Sequence, residues 1–191
     1  TYISGPGTFE PGGTALVNLH GLNMIEQTIG LSAGWNIMSF YNEPSDMGLM
    51  NIVQSLIDDE LLVKIQDETG SAIEELWEDY WVDYIGDMGV SEGYYIKVNE
   101  NTNLITIGEP VSLPFDISLS EGWNMMGYPI TSEQLAMDAV QSLIDAGVLI
   151  KIQDETGAAI EELWEGYWVD NISVMQPGEG YYIKVAENTI L

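Results

Sequence analysis

The chain has no cysteine and no arginine, and only one histidine and three phenylalanines among its 191 residues. Without cysteine there can be no disulfides and no thiolate metal sites, and the redox compartment stays open. His20 stands alone in the lead-in TALVNLHGLNM, so a histidine metal cluster is excluded and no Ser–His–Asp triad suggests itself. It is read as a surface or packed residue. No run of 18 apolar residues occurs, which excludes a transmembrane helix. Positive charge is the scarcest commodity: four Lys face 31 Asp and Glu, for a formal charge of −27. Such a chain repels nucleic acid and anionic membrane, so neither is expected as a partner.

What remains is ordinary for a globular protein, with ten Tyr and six Trp to build a core. The acidity has two readings. One is a solvated surface suited to saline surroundings, where salt screens self-repulsion. The other is calcium binding through clustered carboxylates. The first is preferred, so no cofactor is expected, with calcium kept as the alternative.

The dominant pattern is duplication. Val53–Leu104 aligns with Val140–Leu191 at an offset of 87, and about 38 of the 52 pairs are identical. GWN at Gly34–Asn36 returns at Gly122–Asn124 with an offset of 88, so one residue is lost in between. This divides the chain into an N-terminal segment 1–28, repeat one at 29–110 and repeat two at 111–191. Repeat one closes with ITIGEP (Ile105–Pro110), whereas repeat two reaches Leu191 at the residue that precedes that strand. The opening Tyr2-Ile3-Ser4-Gly5-Pro6 resembles the missing piece, and two explanations stand side by side: the chain is cut from a longer array, or this segment is a complementing strand supplied by one molecule to the next.

Within each repeat, apolar residues at three- and four-residue spacing predict one helix of about three turns. Ser45 or Asp46 is the expected start of the first, and Thr131 with Gln134 the capping box of the second, which Gly147 ends. LLVKIQ, DYWVDYIG and GYYIKV alternate as strands, with Val63 and Ile65 on one face of the first and Lys64 and Gln66 on the other. LSAGWNIMSF does not alternate, which suits a strand buried on both faces. The expected fold is β-rich α+β: two tandem repeats, each a small, mostly antiparallel sheet or sandwich with one short helix.

KIQDETG, at Lys64–Gly70 and Lys151–Gly157, is the most charged duplicated motif. It reads as strand and turn, with Asp67 or Asp154 opening the turn and Gly70 or Gly157 in the left-handed position. It lacks the alternating ligands of an EF-hand loop. Glu68 and Glu155 interrupt any Asp-Thr-Gly of an aspartic protease. The pairs Glu74-Glu75 and Glu161-Glu162 are adjacent on strands and so point apart, unlike a glycosidase pair. Among the aromatics, Trp77, Tyr80, Trp81, Trp164, Tyr167 and Trp168 are the candidate ligand-binding row. The preferred reading puts Trp35, Tyr80, Tyr94 and their repeat mates Trp123, Tyr167 and Tyr181 in a small core or in packing between the repeats. Lys64, Lys97, Lys151 and Lys184 sit at matched strand positions, and either cross-strand carboxylate partners or the charge-guarding of an edge strand is expected of them.

GWNIMSFYNEP, SLIDDELLVKIQDETGSAIEEL, WVDYIGDMGVSEGYYIKV and NLITIG together resemble a tandem repeat of bacterial secreted and cell-surface proteins, Bacteroidetes-like and associated with type IX secretion. The resemblance covers nearly all of Ile29–Leu191, and the acid- and aromatic-rich DYWVDYIG departs from its pattern. It implies an extracellular or surface location, no catalytic residues and no enzyme activity. It also implies a structural or adhesive role, with partners that are other copies, other surface proteins or glycans. A carbohydrate-binding module, calcium-assisted, is the alternative.

Overall fold

A computed structural model describes residues 23–78 and 80–191. The anticipated complementing strand at Tyr2–Pro6 and His20 lie outside the described residues. Repeat one comprises β1 (Ile25–Leu31), β2 (Gly34–Met38), β3 (Asn42–Glu43), α1 (Leu49–Asp58) and β4 (Leu62–Gln66). It continues with β5 (Ala72–Trp77), β6 (Tyr80–Asp83), β7 (Tyr94–Val98) and β8 (Thr102–Pro110). Repeat two comprises β9 (Ser118–Leu119), β10 (Gly122–Gly127), β11 (Gln134–Leu135), α2 (Ala136–Asp145) and β12 (Leu149–Gln153). Then follow β13 (Ala159–Trp164), β14 (Tyr167–Asp170), β15 (Val174–Met175), β16 (Gly180–Val185) and β17 (Thr189–Ile190).

The fold is β-rich α+β with antiparallel pairing throughout these sheets. Each repeat holds a five-stranded sheet, β2-β7-β4-β5-β6 in the first and β10-β16-β12-β13-β14 in the second. In repeat one its inner face packs on α1 and on a three-stranded sheet, β1-β8-β3, around Phe40, Leu49, Ile65, Tyr94 and Leu104. Repeat two has its own core around Tyr128, Val140, Ile152 and Tyr181. β1 begins at Ile25, and Ile25–Thr28 pair with Gly108–Ile105.

Three local expectations need correction. Gly48 and Leu135, not Ser45, Asp46 or Thr131, precede the helices, and neither provides a side-chain cap. Asp46 instead accepts from Gly48 N at 2.9 Å and from Asn51 Nδ2, and Gln134 pairs with Met175 in a short ladder. In β4, the ladder shifts register between Leu62 and Lys64. That bulge turns Leu62 and Ile65 inward and leaves Val63 exposed, as Ile150 is in β12. Trp35 and Tyr80 are exposed rather than core residues, while Tyr94 is buried.

The missing alternation in GWNIMSF comes from the junction between the repeats. The end of β2 meets the approach to β16, with Met38 bridged to Glu179, and the end of β10 meets the approach to β7, with Met126 bridged to Glu92. Met38 and Met126 are equivalent, as are Glu92 and Glu179, so the contact is reciprocal, like that of a two-fold dimer. Backbone bonds Ser39 N to Gly178 O and Gly127 N to Ser91 O, both 2.9 Å, repeat the symmetry. Ile37 and Met38 are therefore covered from both sides.

Candidate functional site

The KIQDETG turn has a dense internal network. Asp67 Oδ1 accepts from Thr69 N (2.9 Å), Thr69 Oγ1 (2.8 Å) and Ser71 N (2.9 Å), and Gly70 adopts φ +90°. Asp154 and Gly157 do the same in repeat two, so both aspartates are committed to folding the turn. The glutamate between Asp and Thr reaches across the junction. Glu68 Oε2 accepts from Met125 N of repeat two at 3.0 Å, and Glu155 lines a cleft with Trp35, Gln66 and Tyr95 of repeat one. Burial pushes the Glu155 carboxyl above its ordinary range.

The outward face of each five-stranded sheet carries the lysines. Trp35 opposes Lys97, Lys97 opposes Lys64, and Lys64 Nζ bonds Glu74 Oε1 at 2.6 Å. In repeat two the row is Trp123, Lys184, Lys151 and Glu161, with Lys151 3.2 Å from Glu161. Two ammonium groups side by side on a sheet repel each other. Each has its own counterweight. A carboxylate holds Lys64 and Lys151, whereas Lys97 and Lys184 lie over the rings of Trp35 and Trp123, 5.8 and 5.7 Å from the centroids. This accounts for all four bases of the chain.

Next to this row, aromatic rings run unbroken across the junction. Trp35 meets Tyr95 edge-on at 5.7 Å, Tyr95 meets Tyr182 at 5.3 Å, and Tyr182 meets Trp123 at 5.9 Å. Burial and the Tyr95 hydrogen bond push the Tyr182 hydroxyl up to about 12. The cleft of Trp35, Gln66, Tyr95 and Glu155, about 370 Å³, opens beside the strip. An open ring face with an amide and a carboxylate at its side can stack on a sugar ring and bond its hydroxyls.

The anticipated ligand-binding row separates into two kinds of residue. Trp77 stacks on Tyr80, and Trp164 on Tyr167, with centroids 4.2 Å apart at the ends of the β5–β6 and β13–β14 hairpins. Trp77 and Trp164 are 62% and 61% exposed. Trp81 and Trp168 instead pack against the two cores and do not extend the row. The glutamate pairs do not converge: Glu74 and Glu161 serve the lysines, and Glu162 accepts from Gly166 N at 2.6 Å. Among the described residues no group of three or more His, Asp or Glu side chains is placed to hold a metal ion. The Trp35–Tyr95–Tyr182–Trp123 strip was not anticipated from the sequence. Its signal was the parity of GWN against GYYIKV, which puts Trp and Lys on one face.

The second feature is an apolar cleft in repeat two. In repeat one, β8 is the central strand between β1 and β3. In repeat two, Leu191 exchanges two backbone bonds with Ile117, at 2.9 and 3.0 Å, as the last rung of the β9–β17 pairing. Beyond it lies an apolar cleft of about 280 Å³ lined by Phe115, Ile117, Tyr128, Ile130 and Leu191 among others. By repeat equivalence these five lining residues correspond to Gln27, Ile29, Phe40, Asn42 and Leu104 of repeat one.

No protein-family model matches the chain, and none of the curated proteins or solved structures matches it.

Proposed function

We propose that the chain is a non-enzymatic structural or adhesive module of the bacterial cell surface that assembles with others of its kind. The observation that carries this reading is the reciprocal junction, where two copies of one repeat pack through matched backbone bonds and fuse two small cores into a single body suited to bearing load. The resemblance to secreted tandem repeats supports the extracellular location. The test is mass by light scattering across concentration. Concentration-dependent growth above 21.1 kDa supports assembly, and a constant 21.1 kDa refutes it.

A second reading, carbohydrate binding, is favoured by the exposed Trp77–Tyr80 and Trp164–Tyr167 stacks and by the Trp35 cleft. Affinity gels of insoluble polysaccharide, run with and without chelator, separate the two readings. Retention lost in Trp77→Ala and Trp164→Ala identifies the hairpin rings as the contact, and loss in Trp35→Ala identifies the cleft. Retention that disappears with chelator adds calcium. No retention on any gel leaves the structural reading alone.

A further inference from the structure

We infer that Tyr95 and Tyr182 form a cross-linking site, at which oxidation joins the two rings as a biphenol and ties repeat one covalently to repeat two. The inference rests on the reciprocal junction that carries the structural reading. It gives that junction a covalent bond in a chain that has no cysteine to make one. Tyr95 on β7 and Tyr182 on β16 are repeat mates at the offset of 87, and the junction brings them together. Their ring centroids lie 5.3 Å apart, with the planes inclined by 59°. The Tyr182 hydroxyl is hydrogen-bonded to that of Tyr95. In an ortho-linked biphenol the two hydroxyls also lie side by side, so the pair already stands near the geometry of the product. Trp35 and Trp123 meet the two tyrosines from the outer sides at 5.7 and 5.9 Å, which restrains both rings.

The surroundings favour this pair over the other described phenols. Tyr95 and Tyr182 are half-buried, open enough to lose an electron to an oxidant yet held in place. Tyr128 and Tyr181 also meet, edge-on at 6.5 Å, but they are 2% and 0% exposed and so shielded. Tyr80 and Tyr167 stack on tryptophans rather than on a second phenol. Coupling between chains is opposed by the charge of −27 that each carries. In the reaction each phenol gives up one electron and one proton. A bond forms between a Cε of Tyr95 and a Cε of Tyr182, and the hydrogen on each of these carbons moves to its own phenol oxygen as the rings regain aromaticity. The two electrons and two protons released reduce one hydrogen peroxide to two waters, with a haem peroxidase as the catalyst.

The experiment treats the full chain, at about 1 µM to disfavour association, with a haem peroxidase and hydrogen peroxide. Intact mass, a proteolytic map and biphenol fluorescence are then read. The expected product stays at 21.1 kDa, less two hydrogen atoms, and its map joins the Tyr95 peptide to the Tyr182 peptide. Closing a loop of this length should raise the Tm by about 10 °C. Tyr95→Phe and Tyr182→Phe keep the ring contact but lose both the link and the gain in Tm. Tyr167→Phe, at a hairpin end, forms the link like the wild type. A link between other tyrosines, or products of doubled mass alone, overturns the inference. So does a wild type left unlinked while free tyrosine in the same mixture is coupled. Light scattering of untreated protein reads the assembly separately: growth in mass without a link removes this site and leaves the structural reading standing.

Discussion

Gly180 stands where one repeat presses on the other, and replacing it with alanine tests the junction directly. A Cβ at this position would lie 2.7 Å from Ile37 Cγ2, 3.1 Å from Met38 O and 3.2 Å from Gly93 Cα. Two of those three neighbours are backbone atoms, so rotating a side chain cannot make room, and the ends of β2 and β16 must separate. Overpacking of this kind costs about 1–3 kcal/mol. The lower entropy of the unfolded alanine chain returns about 0.5 kcal/mol. A net loss of about 1–2 kcal/mol corresponds to a Tm lower by about 2–8 °C for a chain of this length. Differential scanning calorimetry provides the assay, with Gly30→Ala as control, since the nearest atom to a Cβ there is Asn103 Oδ1 at 3.8 Å. Gly93→Ala, whose Cβ would meet Met126 O at 2.8 Å from the other side, should lose a similar amount. The double variant should lose less than the sum, because both substitutions open the same contact. If Gly180→Ala melts within 1 °C of Gly30→Ala, the repeats are not held together here and the reciprocal junction is wrong.

Glu60 and Ser173 hold left-handed backbone, φ 57° and 69°, at positions whose repeat mates are Gly147 and Gly86. Glu60→Gly and Ser173→Gly should each stabilise by about 0.5–1 kcal/mol, read as a higher urea midpoint, whereas the reverse exchanges at Gly147 and Gly86 should destabilise. The Lys64–Glu74 pair is half exposed, so a double-mutant cycle to Met and Gln should return a coupling of no more than about 1 kcal/mol that fades in salt. Burial raises the Glu155 and Glu179 carboxyls, so just above the ordinary carboxylate range the folded protein still holds protons that the unfolded chain has already released. Stability should fall as pH rises through that interval, and Glu155→Gln should flatten the slope of denaturation midpoint against pH.

Much of the fold was legible in local pattern. The duplication, the β-rich class, the single helix per repeat and the Asp-x-x-Gly turns all follow from short-range regularities. A turn aspartate needs only amide donors two and four residues away to find its role. Lys64 was readable too, since a base on a strand has carboxylates on the neighbouring strand as its natural partners. The bulge in β4 was not readable. Leu62 and Ile65 lie three apart on a strand, and only the pairing with β7 shows which of them the ladder displaces.

The candidate surfaces divide in the same way. The heptapeptide's lysine, aspartate and glycine act within their own repeat. Its glutamate acts on the other repeat, at a distance of 57 residues in the case of Glu68 and Met125. No local pattern encodes a contact between copies of nearly identical sequence, because each copy carries the same letters whether or not they meet. Trp35 and Trp123 were assigned to the core for a related reason: a large ring suggests burial until a neighbouring lysine and tyrosine offer it a half-exposed place. By itself the sequence determined the repeat, its strands and turns, and the near absence of positive charge. The tertiary structure decided which copies touch and which rings stay open. Those outcomes depend on long-range register, set by close backbone approach at Gly93 and Gly180 rather than by residue type alone.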